Sequence, residues 1–265
     1  ATIRRQRQMC IRDRCNYGCS FCTIPLARGR SRSAKPEEVL SNLKELIKKG
    51  SKEIVLSGIN IGDYGIIEGK RSNDFYTLLQ KINNEIKNIR LRISSIEPNL
   101  LSNEIIKLIS ESEIFVNHFH IPLQSGSNKI LNSMSRRYTS ELYEDRIKYI
   151  KKLMPDACVG GDVIVGFPGE DVNEFDKTLQ FIKNLDMSYL HVFPYSERVN
   201  TRAISLNESV PIEERNKRSK VLRLLSDKKK RYFYESNLNN VRNVLFENKV
   251  SGDFMIIQLK IFVED

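Results

Sequence analysis

The sequence predicts an α/β fold whose parallel strands wind into a curved, barrel-like sheet, followed by a basic helix and the start of a small β module. Three observations predict it. After Ser33 helical and strand-like patterns alternate several times, which is the signature of βαβ units. The strand stretches are short apolar runs, whereas the helical stretches carry apolar residues at spacings of three and four. Beyond Pro194 the alternation stops and a long, strongly basic stretch begins.

The elements follow in order. Lys35 to Lys49 reads as a helix, with Pro36 in the first turn, Val39, Leu40, Leu43 and Leu46 on one face, and Gly50 as a stop. Glu53 to Ser57 then reads as a buried strand. Helix Phe75–Ile89 precedes strand Leu91–Ser95, and helix Ser102–Ser110 precedes strand Val116–Leu123. The series closes with helix Thr139–Met154, strand Cys158–Gly166, helix Val172–Leu185 and strand Tyr189–Pro194. Helix-bearing crossovers curve such a sheet, and its chemistry belongs at the C-terminal strand ends. Pro211 opens the basic helix, Ile212 to about Leu238, and Val241–Glu247 reads as a further strand.

Composition narrows the function classes. The 265 residues are 40% hydrophobic, enough for a globular core, and no apolar run approaches the about 20 residues of a membrane helix. No secretory-type apolar stretch opens the chain, so a cytoplasmic protein without a membrane partner is expected; it is also expected to be a monomer. The formal charge of +10 suits a solvated basic surface or a polyanionic partner such as nucleic acid. Four of the five cysteines fall within the first 22 residues. An odd total in one tight cluster argues for metal or cluster binding rather than disulfides.

The densest chemical signal is Cys15-Asn-Tyr-Gly-Cys19-Ser-Phe-Cys22, spaced C-x3-C-x2-C. Thiolates are soft ligands for iron–sulfur clusters and zinc. Three of them hold three corners of a 4Fe-4S cube and leave one iron open, whereas Cys10 as a fourth ligand would close a structural zinc site. Both readings stand on spacing alone. The motif continues into TIPLARGRSRS, and this string resembles the methylthiotransferase branch of the radical S-adenosylmethionine (radical SAM) superfamily. The resemblance runs on through SGINIGDYG (Ser57–Gly65), RLRISSIEPNLL (Arg90–Leu101), HFHIPLQSGSNKILNSMSRRYT (His118–Thr139), DVIVGFPGE (Asp162–Glu170) and LHVFPYSERVNTRA (Leu190–Ala203). It covers roughly Cys15 to Glu247 and is nearest to the enzymes that act on threonylcarbamoyladenosine in tRNA.

The resemblance implies a partial (βα)6 radical SAM barrel. Cys15, Cys19 and Cys22 would ligate the 4Fe-4S cluster, and the open iron would hold S-adenosyl-L-methionine. A reducing electron, from a donor such as a flavodoxin or ferredoxin, would release a 5′-deoxyadenosyl radical that takes hydrogen from the adenine to be thiomethylated. Phe21 would pack beside the cluster. Gly58 and Asn60 follow a strand end, where tight backbone can approach the cofactor or simply make a βα connection. Ser95, Glu97, Gln124 and Ser125 end the next two strands and suit the cofactor's ribose and methionine groups. Arg136 reads as near the cofactor or as an exposed helix-start charge, and Asp162 as cofactor-facing or as a buried structural carboxylate. The three histidines read as packing or substrate-lining groups, and Cys158 as a small buried hydrophobe.

In the basic helix, Arg215, Arg218 and Lys228, Lys229, Lys230 and Arg231 are candidates for the anticodon stem-loop of a tRNA. Residues 1–14 are expected to be a non-native segment, 15–238 the catalytic domain, and 239–265 the truncated start of a TRAM-like RNA-binding module. Relatives carry a preceding domain with a second cluster, and full sulfur insertion is expected to need it. Two rivals remain: a methylthiotransferase for isopentenyladenosine or a ribosomal protein, and a zinc-bearing RNA-binding module without catalysis.

Overall fold

The computed structural model describes residues 6–67, 70–238, 240, 245, 250–251 and 254–255. The chain opens with β1 (Gln6–Arg12), α1 (Ile24–Arg28), α2 (Pro36–Lys48) and β2 (Glu53–Gly58). A small hairpin, β3 (Ile66–Ile67) and β4 (Lys70–Arg71), precedes α3 (Phe75–Glu85), β5 (Arg90–Ile93), α4 (Asn103–Ser110) and β6 (His118–His120). Then come α5 (Asn128–Ser133), α6 (Ser140–Leu153), β7 (Cys158–Val165), α7 (Val172–Asn184), β8 (Tyr189–Pro194) and α8 (Ile212–Ser236). A short antiparallel pair, β9 (Val250–Ser251) and β10 (Phe254–Met255), follows.

Six of these strands make the barrel. β1, β2 and β5 pair in parallel, as do β6, β7 and β8. The halves are joined where Leu91 N–H donates to Ile114 O at 2.6 Å and Val116 N–H donates to Leu91 O at 2.9 Å. Strand order follows chain order, so each crossover carries at least one helix to the outside.

Alternation then divides the residues of each strand between two environments. Ile11, Ile54, Leu56, Leu91, Val163 and Val192 face the helices and join one apolar core with Leu43, Leu78, Ile82, Ile106, Ile147 and Ile150. The intervening positions face the barrel interior and are mostly polar (Glu53, Arg92, His118, His120, Asp162, Tyr189 and His191), with Val55 and Ile164 as aliphatic exceptions. Glu53 Oε1 accepts from Arg92 Nε and Nη2 at 3.1 and 2.9 Å, and its Oε2 stands 3.2 Å from Arg90 Nε. The barrel thus keeps a polar interior instead of filling it with aliphatic side chains.

Caps set the helix starts. The side chains of Asp74, Ser102, Ser127, Thr139 and Asp171 each accept an N–H from the first turn of α3, α4, α5, α6 and α7. Several expected boundaries move. α3 ends at Glu85 rather than Ile89, because Ile86 is already extended (φ −104°, ψ 136°) and Asn88 then takes a left-handed φ of 57°. β6 is only three residues long, since Pro122 lacks an amide hydrogen and Gln124 has a φ of +65°. Part of the segment 1–14 takes part in the fold. β1 lies inside that segment, pairs with β2 from Gln6 to Arg12, and buries Met9 and Ile11 in the core. The barrel therefore begins ahead of Cys15. The expected strand Val241–Glu247 falls outside the described residues except for Leu245. No helix among the described residues is long and apolar enough to cross a membrane.

Candidate active site

The three motif cysteines sit on the loop after β1, which the structure pins across the C-terminal rim of the barrel. Ser20 N–H donates to Met134 O at 3.0 Å and its hydroxyl to Ser133 O at 2.8 Å. From the other side Ala203 N–H donates to Ser20 O at 2.8 Å, and Arg202 donates to Gly18 O. Phe21 meets Phe167 edge to face, with ring centroids 6.2 Å apart, and packs on the Ile130–Met134–Phe167 cluster. The loop is thereby tied to the ends of β7 and β8 and to α5.

Each thiol has a different surrounding. Cys15 is buried, and its sulfur accepts the Tyr17 N–H at 3.3 Å and stands 3.9 Å from Asn60 Nδ2. Cys19 Sγ accepts from Arg136 Nη1 at 3.3 Å. Burial raises the Cys19 thiol above its ordinary range, and the Arg136 guanidinium offsets that only in part. Cys22 is half-buried, with its amide donating to Cys19 O at 3.2 Å. Cys10 lies in β1, its thiol on Arg12 O at 3.3 Å. Among the described residues, the three-ligand group close enough to share one ion is His120, Asp162 and His191, not a set of cysteines.

Arg12, unanticipated from sequence, organises the rim. It is 1% exposed and donates from Nη1 to the carbonyls of Ile59 and Asn60 and from Nη2 to Asp63 Oδ2 at 2.7 Å. Gly58 permits this crossing: a Cβ there would lie 2.7 Å from the Arg12 carbonyl oxygen. Asn60 follows in the left-handed region, at φ 53°, which Asn tolerates.

Arg136 is the second organiser. Besides Cys19 it pairs with Glu97 through Nη2 at 3.2 Å and donates from Nε to Tyr138 OH at 3.0 Å. Tyr138 OH in turn donates to Pro122 O at 2.8 Å, anchoring the group to the end of β6. Burial raises the Glu97 carboxyl, with Arg136 opposing. Arg136 is therefore a rim residue, not an exposed helix-start charge.

Around the mouth several buried polar atoms have no protein partner: Asn60 Oδ1, Ser94 Oγ, Glu97 Oε2 and Gln124 Oε1. Buried polar atoms usually find a partner, so these four, at strand ends on the side of the thiol loop, are available to a ligand. Both features fit an iron–sulfur cluster with a small zwitterionic cofactor beside it. Ser95 is half-buried at the end of β5 beside Ser94.

Other expected site residues lie elsewhere. Ser125 is fully buried, with its hydroxyl on Thr178 Oγ1 at 3.1 Å and accepting from Ser127 N–H, so it docks α7 rather than lining the rim. Asp162 sits in the barrel interior between His120 and His191. Arg215 is buried and donates to Val210 O, Tyr195 O and Glu197; Arg218 is buried against Glu170 at 2.9 Å. Both are structural, because their guanidinium groups are consumed inside the fold. Lys229 is half-buried, donating to Leu185 O at 2.7 Å, and burial lowers its pKa. Lys228, Lys230 and Arg231 remain exposed, Arg231 beside Glu235 at 2.8 Å.

Comparisons place this arrangement among known proteins. A family model for the radical SAM superfamily matches residues 9–182. Threonylcarbamoyladenosine tRNA methylthiotransferase MtaB of Bacillus subtilis (strain 168) is 42% identical over 247 residues, covering 93% of this chain and 54% of that protein. The tRNA-2-methylthio-N(6)-dimethylallyladenosine synthase of Desulfitobacterium hafniense (strain Y51) is 37% identical over 204 residues, covering 77% and 45%. The chain thus spans about half the length of the curated relatives it matches. Among solved structures, coproporphyrinogen III oxidase (HemN) from Escherichia coli, a radical SAM enzyme, superimposes with a TM-score of 0.61 at 12% identity, over 85% of this chain and 53% of that one. The radical SAM methyltransferase TsrM from Kitasatospora setae gives 0.58 at 16% identity, over 71% and 35%. At these identities the likeness is one of fold.

Proposed function

The chain belongs to the radical SAM superfamily, and on that premise we propose that it is the catalytic core of a tRNA methylthiotransferase acting on the adenine of N6-threonylcarbamoyladenosine. The observation that carries the reading is the rim itself: three thiols on one pinned loop, facing buried oxygens that the fold leaves unmet. The two threonylcarbamoyladenosine enzymes, at 42% and 41% identity, direct the substrate assignment.

A bound 4Fe-4S cluster with S-adenosyl-L-methionine would supply one-electron reductive cleavage of that cofactor. Cys15, Cys19 and Cys22 are the residues to hold the cluster. Asn60, Ser94, Glu97 and Gln124 would bind the amino, carboxylate and ribose groups of the cofactor, a role their partnerless oxygens support. Arg136 keeps Cys19 and Glu97 in one frame, so a thiolate and a cofactor-binding carboxylate hold a fixed separation. Phe21 and Phe167 keep water from that side of the loop. The target adenine enters the polar interior from the rim, with exposed Lys228, Lys230 and Arg231 as candidates for the RNA backbone. A low-potential donor of the flavodoxin or ferredoxin class, a monomeric state and a cytoplasmic setting complete the proposal.

The test uses anticodon stem-loops carrying adenine deuterated at the carbon to be modified. Incubated with the reconstituted protein, reductant and S-adenosylmethionine, the threonylcarbamoyl form is expected to pass deuterium into 5′-deoxyadenosine. Transfer from the isopentenyl form instead would reassign the substrate, and transfer from neither would remove tRNA adenine as the target.

A further inference from the structure

Below the rim, the barrel interior holds a second cluster of ligating groups that the radical chemistry does not use. His120, Asp162 and His191 come from the adjacent strands β6, β7 and β8. Asp162 is in register with His191, and His120 with Gly160, so all three share the inner face. Asp162 Oδ1 stands 3.0 Å from His120 Nε2 and 3.2 Å from His191 Nδ1, and the three ligand atoms lie within 4.8 Å of one another. Two ligands at about 2.0–2.1 Å from one tetrahedral ion stand roughly 3.3 Å apart. The observed spacings match that edge.

Tyr189 OH lies 3.0 Å from His118 Nε2 and 3.4 Å from His120 Nδ1. The phenol thus steadies the His120 ring from its far nitrogen while Nε2 stands 3.0 Å from the Asp162 carboxylate. A ligating histidine held through its other nitrogen is the usual second layer of a metal site. Gly160 makes room for this layer: a Cβ there would lie 2.1 Å from the Tyr189 ring.

We propose that His120, Asp162 and His191 bind one divalent first-row metal ion, of the Zn2+ or Fe2+ class, inside the barrel and separate from the cysteine loop. Two imidazoles and one carboxylate leave coordination positions open toward the interior. The site is independent of which nucleoside the protein modifies.

The test is equilibrium dialysis of the cluster-reconstituted chain against Zn2+, with zinc and iron both counted by elemental analysis. The wild type is expected to take up about one zinc per chain beyond its cluster iron. His191→Ala, whose side chain is 55% exposed and therefore safe to fold, is expected to lose it, as is Asp162→Asn. Tyr189→Phe is expected to weaken zinc affinity by about 10–100-fold with iron unchanged, as loss of a second-layer partner does. Zinc uptake that His191→Ala leaves intact would overturn the proposal. So would zinc that enters only as iron is lost, or no zinc at all.

Discussion

At the N-terminal end of the barrel Glu53 is met by Arg90 and Arg92 together, whereas at the C-terminal rim Asn60, Ser94, Glu97 and Gln124 each keep a buried oxygen that the protein leaves unmet. Both ends are polar and both belong to the same strands. The difference is that the lower charges pair with one another across the barrel, while the upper oxygens have no hydrogen-bond partner within the protein. A buried charge separated from its partner is costly, so the lower end tolerates change poorly and the rim tolerates it well.

The largest expected effect tests the lower end. Glu53→Ala strands two guanidinium groups inside the barrel and is expected to cost about 3–5 kcal/mol in chemical denaturation. A loss below about 1 kcal/mol would erase the contrast. At the rim, Ser94→Ala combined with Gln124→Gly removes two unmet oxygens, and glycine suits the φ of +65° at that position. The pair is expected to leave unfolding within about 1 kcal/mol of wild type and to weaken S-adenosylmethionine binding at least tenfold by calorimetry. Unchanged binding would mean that the unmet atoms do not mark the cofactor.

A smaller effect separates exposed from consumed cations. Lys228→Glu with Lys230→Glu is expected to weaken RNA binding and to lower the slope of log affinity against log salt by about one per lost phosphate contact. An unchanged slope would move the RNA surface elsewhere. The smallest effect concerns Glu141, on the first turn of α6. Hydrogen bonds from Thr139, its own backbone and Asn128 lower its carboxyl to about 2. A carboxyl depressed in the fold adds stability above its unfolded pKa of about 4.3, and that stability is lost as pH falls toward 2. Glu141→Gln is expected to lower the thermal midpoint near pH 7, to flatten its fall between those limits, and to match the wild type near pH 2.

Much of this was legible in the sequence because period and motif are local. Val39, Leu40 and Leu43 announce α2, and the spacing of Cys15, Cys19 and Cys22 announces the loop they occupy. Contacts between distant strands were not legible. Arg215 and Arg218 read as part of a basic face, yet Glu197 and Glu170 consume them from other elements. Ser125 was placed at a strand end, where its partner Thr178 in α7 cannot be seen in sequence. Arg12 was passed over with the segment around it, although Met9 and Ile11 alternate with polar neighbours as a strand does. The histidines, read as lining groups, meet around Asp162 only once β6, β7 and β8 are in register.

The central claim is tested most directly by anaerobic reconstitution with iron and sulfide, followed by EPR of the reduced protein with and without S-adenosylmethionine. The account predicts one 4Fe-4S cluster per chain whose signal shifts when the cofactor is added, and loss of that cluster in Cys19→Ala. A colourless protein carrying only zinc, or a cluster whose signal ignores the cofactor, would contradict it.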